Sequence, residues 1–407
     1  MRTLLIIFLP SEWRTYHRRP YWEAMAEHSQ VLVIEPPAGI FSFWLHPKRM
    51  IDYLRGAGKL RRNQSNILFF RPPQLASPGI NFIVRPLAAL DRFLMRHQIQ
   101  RILKQMQNEF DTAVVFLVHA QQHHFSKVIP DARQCYEITD LYAMPRGHHR
   151  LDENHWHTKR VRRSEKKIIS DSDVILTSSK LIYDELRETN AKVYYLHNAA
   201  DYRHFVKSAD NELEIPDNIK LLPRPRLGFF GNINHLIDYE LITKLAGEFT
   251  NGAIVMIGGE QKNTGITHDH WYQMTKTMGN VHYLGFRDYE NLPVYLKGFD
   301  VCLMPFRLND WMQYSAPNKT FQYLASGKPI VSTDFPEVHN VESVIYIAKK
   351  HTEFVKLVRE ALNDSSETKK AERQQVAFEN STEKWAEKVM QILYKTINEK
   401  KPFTGLS

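Results

Sequence analysis

Cysteine is scarce: two in 407 residues, Cys135 and Cys302, each inside an apolar run that reads as a strand. That speaks against a disulfide framework and points to a reducing cytoplasm. Long apolar runs are missing too. Residues 3–9 are too short to span a bilayer and lack a small-residue cleavage site, so they read as a first core strand. No other run approaches spanning length, and no segment is of low complexity. The first strand is not followed by Gly-x-Gly-x-x-Gly, which removes the dinucleotide fingerprint. Histidines at 123, 124, 148, 149, 155 and 157 match no standard zinc spacing and no cysteine joins them, so no metal is expected. Asp171-Ser-Asp173 imitates a metal-binding acidic triplet, but it stands where such residues end a helix and start a strand, and the structural reading is preferred. No recognised nucleic-acid module occurs, which sets nucleic acid aside as a partner.

What is present is the make-up of a globular protein, 43% hydrophobic and 24% charged, long enough for two domains with full cores. The net charge of +9 is lopsided. Residues 1–200 hold 29 Lys/Arg against 19 Asp/Glu, leaving 25 against 26 for the rest. An anionic membrane surface is the partner this first half suggests. Two stretches, 47–62 and 85–104, mix basic and apolar residues in the manner of interfacial segments. The first, with Phe41, Phe43, Trp44 and Leu45 just upstream, is read as membrane-facing, and the second as a core-packing helix with a solvated face.

Apolar runs at 4–9, 31–34, 67–70, 113–118, 134–138, 174–177 and 193–196 alternate with helical patterns, and a second series follows at 226–230, 253–257, 281–283, 301–304, 330–332 and 344–347. Such alternation argues for α/β architecture with parallel sheets covered on both faces. Ligands then bind beyond the carboxyl ends of strands. The loop after the first strand, with Trp13, Arg14, Arg18 and Arg19, should face a cleft, although loop arginines are often only solvated. His119 ends the 113–118 strand at the same edge, either poised for chemistry near neutral pH or merely capping the strand. Gly231 and Asn232 follow the first strand of the second series, where glycine permits close backbone approach. The tail, with Trp385, Val389, Ile392 and Leu393, has a helical apolar face.

Residues 316–338 concentrate the chemistry. Pro317 suits a helix start and Gly327 its stop, with Phe321, Leu324 and Ala325 on an apolar face. Lys319 and Gln322 share a polar face, and a lysine at a helix start following a strand-end loop suits a phosphate. On these residues alone a solvated surface helix reads equally well.

This wording resembles the donor-site helix of family 4-type glycosyltransferases of the GT-B fold, Pro-x-Lys-x-(Tyr/Phe)-Glu-Tyr-Leu-Ala-x-Gly-Lys-Pro-Val-Val. The run 193–205 resembles the family's hinge, and residues 227–233, 258–259, 280–286 and 292–306 follow its order. The resemblance implies two facing Rossmann-like domains: an acceptor-side domain over 1–205, a linker over 206–225, a nucleotide-sugar domain over 226–380 and a crossover helix over 381–407. It also implies retaining, metal-independent sugar transfer from a nucleotide sugar, itself a substrate with no further cofactor, to a cell-surface glycan or lipid-linked acceptor. Lys319 and His119 are the implied catalytic residues. Gly231, Asn232, Phe286, Arg287, Asn318, Lys319 and Gln322 are the implied donor contacts, and Trp13, Arg14 and Asp140 the implied acceptor-side ones. The setting is the cytoplasm, on the inner membrane face. Two departures stand out: Gln322 replaces the family's ribose-binding glutamate, and Tyr314 stands where its earlier acid would be. They keep open a catalytically silent subunit that binds glycan or scaffolds an assembly complex. A GT-B epimerase fits less well, because it too needs the missing glutamate.

Overall fold

The computed structural model describes residues 2–11, 13, 16–36, 58–63, 66–72, 85–129, 131–144, 150–190 and 192–398. Two sheets organise them. The first has the order β3-β4-β2-β1-β5-β6-β7-β8, built from Leu60–Arg62 (β3), Ile67–Phe70 (β4), Gln30–Ile34 (β2), Thr3–Phe8 (β1), Thr112–Leu117 (β5), Arg133–Ile138 (β6), Val174–Thr177 (β7) and Val193–Tyr195 (β8). The second is β11-β10-β9-β12-β13-β14, from Val281–Gly285 (β11), Ala253–Ile257 (β10), Arg226–Phe230 (β9), Val301–Met304 (β12), Ile330–Thr333 (β13) and Tyr346–Ala348 (β14). Every pairing is parallel except β3 with β4.

Continuous apolar runs form these strands because both sheet faces are covered. Leu4, Ile6 and Phe8 of β1 enter one core layer, while Leu5 and Ile7 enter the other. The strand periodicity of two thus feeds two layers at once. The helix Thr382–Asn398 closes the second layer: Trp385, Val389, Met390, Leu393 and Ile397 pack with Leu5 and Ile7 of the first sheet. The chain's last helix therefore returns to the first domain, as the resemblance implies.

Two segments differ from the sequence reading. Of the basic stretch 47–62, residues 47–57 and the aromatics upstream lie outside the described residues, but Leu60–Arg62 forms an edge strand. Arg61 pairs with Glu35 at 2.5 Å and Arg62 with Glu109 at 3.0 Å, so these arginines are tied to the protein's own carboxylates. The proline-rich segment 207–225 is anchored on the second domain. Ile219 is fully buried in its core, and Lys297 Nζ donates to the carbonyls of Asp210, Asn211 and Leu213. The backbone passes between the domains earlier, where Ala200 forms a parallel bridge with Ser381 of the returning chain.

Leu393→Ala should destabilise the protein by about 2–5 kcal/mol, the cost of a buried leucine cavity, whereas Gln391→Ala on the exposed face should be near neutral. Urea unfolding of both variants checks this; equal midpoints would mean the last helix is not part of the first domain's core.

Candidate functional site

Three neighbouring strands of the second sheet run out into glycines at their carboxyl ends: Gly231, Gly258 and Gly285, with φ of 139°, 154° and 74°. Close approach requires the first two. A Cβ on Gly258 would stand 1.7 Å from the Gly231 carbonyl oxygen, and one on Gly231 would stand 2.6 Å from Lys319 Nζ. The loops therefore lie backbone against backbone, with Gly231 N donating to Ile257 O and Gly258 N to Gly285 O, both at 2.9 Å. This removes bulk where an ammonium meets the main chain.

That ammonium belongs to the first residue of the helix Lys319–Ala325. Phe321, Leu324 and Ala325 are buried as their spacing requires, and Gly327, at φ 73°, ends the turn. Tyr323, fully buried, accepts a hydrogen bond from Phe230 N at 2.9 Å, which pins the helix to the end of β9. Lys319 is half-buried, its Nζ 4.0 Å from the Phe229 ring centroid and 4.8 Å from that of Phe306. Among the described residues it has no carboxylate or carbonyl partner. Burial alone pulls its pKa down to about 7. Cation–π contact holds the group in place but does not neutralise it. An uncompensated cation on glycine loops is built to receive an anion.

Other residues expected on the donor side share this edge. Gln322 is half-buried one turn after Lys319, and Asn232 is exposed beside Gly231. Phe286 is 68% exposed on the loop after β11. Its neighbour Arg287 donates from Nε to the Tyr295 hydroxyl at 2.7 Å and from Nη1 to the Phe286 carbonyl at 2.8 Å, which fixes the loop. The Asn318 side chain accepts from the Tyr21 hydroxyl of the first domain at 3.3 Å.

On the first domain, His119 caps the turn Ala120–Phe125, its Nδ1 accepting from Gln121 N at 3.1 Å. Its ring lies 4.5 Å from that of Tyr142. Asp140 is half-buried; burial lifts its pKa to about 7, opposed by the nearby Arg18 charge. Trp13 packs edge-on against Phe69 at 5.3 Å, and Arg14 lies outside the described residues. Among the described residues, no three His, Cys, Asp or Glu side chains are grouped to hold a metal. Asp171 and Asp173 serve the fold: the first accepts from Ser126 Oγ and the second from Gln134 N.

Arg18 differs from its sequence reading as a loop arginine. It is 3% exposed, in an ion pair with the equally buried Glu137, and its guanidinium stacks 3.9 Å over the Tyr21 ring. It also donates to Asn198 Oδ1 at 2.9 Å, and the Asn198 amide donates to the Ala316 carbonyl just before the Lys319 helix. The signal for this relay was Asn198 within the hinge-like run; nothing local marked Arg18 as its partner. Tyr314 was likewise unforeseen as a strut. Its hydroxyl donates to Glu185 at 2.8 Å, and with Trp311 it packs on Leu141, Met144 and Val161 across the domain boundary.

The lysine's burial has a measurable sign. Its ordinary pKa is 10.5 and its folded value about 7, so between them the unfolded chain binds more protons and folding stability rises with pH. Lys319→Met should therefore raise the melting temperature of the free protein, most at pH 6 and less by pH 9, while abolishing stabilisation by pyrophosphate. A lower melting temperature at pH 6, or undiminished protection by pyrophosphate, would contradict the site.

Comparisons with known proteins agree with this geometry. Residues 224–364, which carry the glycine loops and the Lys319 helix, match the family model described as Glycosyl transferases group 1. TuaH of Bacillus subtilis (strain 168), whose name places it as a glycosyltransferase of teichuronic acid biosynthesis, is 27% identical over 213 residues. The match spans 51% of this chain and 52% of TuaH, so about half the length of that relative is covered. Among solved structures, sucrose-phosphate synthase from Thermosynechococcus elongatus superposes with a TM-score of 0.68 at 12% identity, covering 98% of this chain and all of that one. Anabaena HepE, solved in complex with UDP, superposes at 0.63 with 11% identity, covering 97% of this chain and all of HepE. An Escherichia coli trehalose-6-phosphate protein bound to UDP-2-fluoro glucose gives 0.67 at 11% identity, covering 98% and 100%. The chain has the GT-B fold of these structures, and residues 224–364 of its second domain match the group 1 glycosyltransferase model.

Proposed function

We propose that this chain transfers a sugar from a nucleotide sugar to a glycan or lipid-linked acceptor of the cell surface, with retention and without a metal. The single observation that carries the reading is the uncompensated Lys319 ammonium on the glycine loops. Departure of a nucleoside diphosphate places negative charge there, and an amine already fixed and partly dehydrated, protonated against the bound diphosphate, stabilises that charge. Gln322, one turn further, hydrogen-bonds the ribose diol as a neutral amide. Phe286 offers an exposed ring to the base, Arg287 shapes its loop, and Gly231, Asn232 and Asn318 border the diphosphate and sugar. His119, Trp13 and Asp140 serve the acceptor side, where His119 steadies positive charge developing on the sugar ring. Tyr314, held by Glu185, supplies no carboxylate, which leaves positioning and charge stabilisation as the main sources of rate.

The reading is tested by incubating the protein with a panel of nucleotide sugars and lipid-linked acceptors, following released nucleoside diphosphate and the anomer formed. His119→Ala should lose most turnover while binding UDP as tightly as wild type, the pattern of a contact made only in the transition state. Unchanged turnover would reduce His119 to its capping role. A wild type that binds UDP but transfers nothing across the panel would favour the silent-subunit alternative.

The same reading seats the first domain on the cytoplasmic face of an anionic membrane. Support comes from the helix Arg85–Gln105, the stretch read from sequence as core-packing. One face does pack, through Met95, Ile99 and Leu103, but Phe93 is 69% and Leu90 46% exposed beside Arg92 and Arg96. Among the described residues no helix is long and apolar enough to cross a membrane. Phe93→Ala should weaken flotation with phosphatidylglycerol vesicles, and binding should fall as salt rises, since exposed charges are screened within about 8–10 Å. Equal binding to neutral vesicles would contradict the electrostatic part.

A further inference from the structure

The chain crosses between the domains twice, and the crossings run side by side. Ala200 N donates to Asn380 O at 3.1 Å and Thr382 N to Ala200 O at 3.0 Å. Between them lies a cavity of about 250 Å³, walled by residues 195–199 of the first crossing and by Glu379, Asn380, Trp385 and Lys388 of the second. For scale, a water molecule's share of liquid volume is about 30 Å³.

Two basic side chains of this wall each keep a nitrogen without a hydrogen-bond partner among the described residues. His197 engages the Tyr195 hydroxyl through Nδ1 at 3.2 Å, and its Nε2 makes no hydrogen bond among the described residues. Lys388 has no ion pair or acceptor among them. The remaining polar groups are occupied. The Glu379 carboxylate, at the exposed rim, accepts from Gln375 at 2.8 Å. The Asn380 amide donates to Val376 O, and the Tyr195 hydroxyl donates to Glu337. From the second domain His197 meets Phe321, which is uncharged, with ring centroids 6.5 Å apart. Burial first, and then the Lys388 charge, hold the His197 pKa below its ordinary value. A larger hollow of about 640 Å³ on the second domain offers a contrast. Its Arg307 is paired with Asp269 and its His351 with Asp238, so those side chains already have carboxylate partners.

We propose that the cavity between the two crossings binds inorganic phosphate, held by His197 Nε2–H and the Lys388 ammonium, and that the bound anion ties one crossing to the other. One basic side chain from each crossing lines a space large enough for one such anion, and an anion bound between them favours the charged form of both. The site is distinct from the Lys319 loops and does not depend on the transfer reaction. Its wall includes Asn198, which also bonds Arg18 and Ala316, so an anion here sits on the hinge that carries the Lys319 helix.

The test is histidine side-chain NMR of the full chain in phosphate-free buffer, with sodium chloride matching ionic strength. One resonance, missing in His197→Gln, should titrate on the acid side of the ordinary histidine value. On adding phosphate its midpoint should rise by about one pH unit, which corresponds to roughly tenfold tighter binding to the imidazolium. In Lys388→Gln, at an exposed position suited to substitution, the rise should be lost while UDP binding persists. No movement of the His197 resonance with phosphate in the wild type would overturn the proposal. So would the same movement in Lys388→Gln, or movement that vanishes in Lys319→Ala, which would place the phosphate at the glycine loops. Loss of UDP binding in the wild type would count against the donor site alone.

Discussion

An ammonium group withdrawn from water without a counter-ion is unfavourable, and a fold keeps one only where the surroundings leave no escape. Lys319 is held that way. Its backbone opens a helix pinned to β9 through Tyr323, its stem runs against Phe229 and Phe306, and its tip meets a glycine that has no room for a methyl group. Each feature of the second sheet's carboxyl edge follows from that placement. The row of glycines brings two loops close enough to seat the charge, and the parallel pairing of β9, β10 and β11 puts those loops side by side. A site organised around a missing negative charge is a site for a ligand that brings one.

The first domain contributes through a buried relay. Arg18 and Glu137 neutralise each other inside the protein, and removing either partner of such a pair costs about 3–5 kcal/mol because the other is left charged. The same guanidinium orients Asn198, which holds the carbonyl of Ala316, and Tyr21 reaches Asn318. The residues before Lys319 are thus fixed from across the cleft. Tyr314 with Glu185, and Glu337 with the Lys180 amide and Tyr195, hold the domains together on the flank. The two sheets are joined by hydrogen bonds at the cleft as well as by the crossover helix.

Much of this was legible because it is local. Buried parallel strands announce themselves as unbroken apolar runs, and each run read as a strand became one. The Lys319 helix carried its own start, stop and buried face. The edge strand Leu60–Arg62 was not legible, since its burial pattern is exposed throughout and only pairing with β4 defines it. Arg18 escaped for a deeper reason. Whether an arginine is solvated or buried depends on a carboxylate 119 residues away and an amide 180 residues away, which no local window contains. Tyr314 was noticed for the acid it replaces, whereas its role as a strut needed Glu185, 129 residues distant. Residues 207–225 have the proline content of a linker, but Ile219 and the Lys297 contacts fasten them down.

The central claim is that the Lys319 amine, held without a counter-ion and with its pKa lowered by burial, is the group that meets a diphosphate and binds it as the ammonium. Calorimetry of UDP binding at pH 7.5, repeated in buffers of different ionisation enthalpy, counts the protons exchanged. With a free-state pKa of about 7, binding should take up more than roughly half a proton per UDP, and that uptake should vanish in Lys319→Met. Tight UDP binding with no proton uptake would contradict the account.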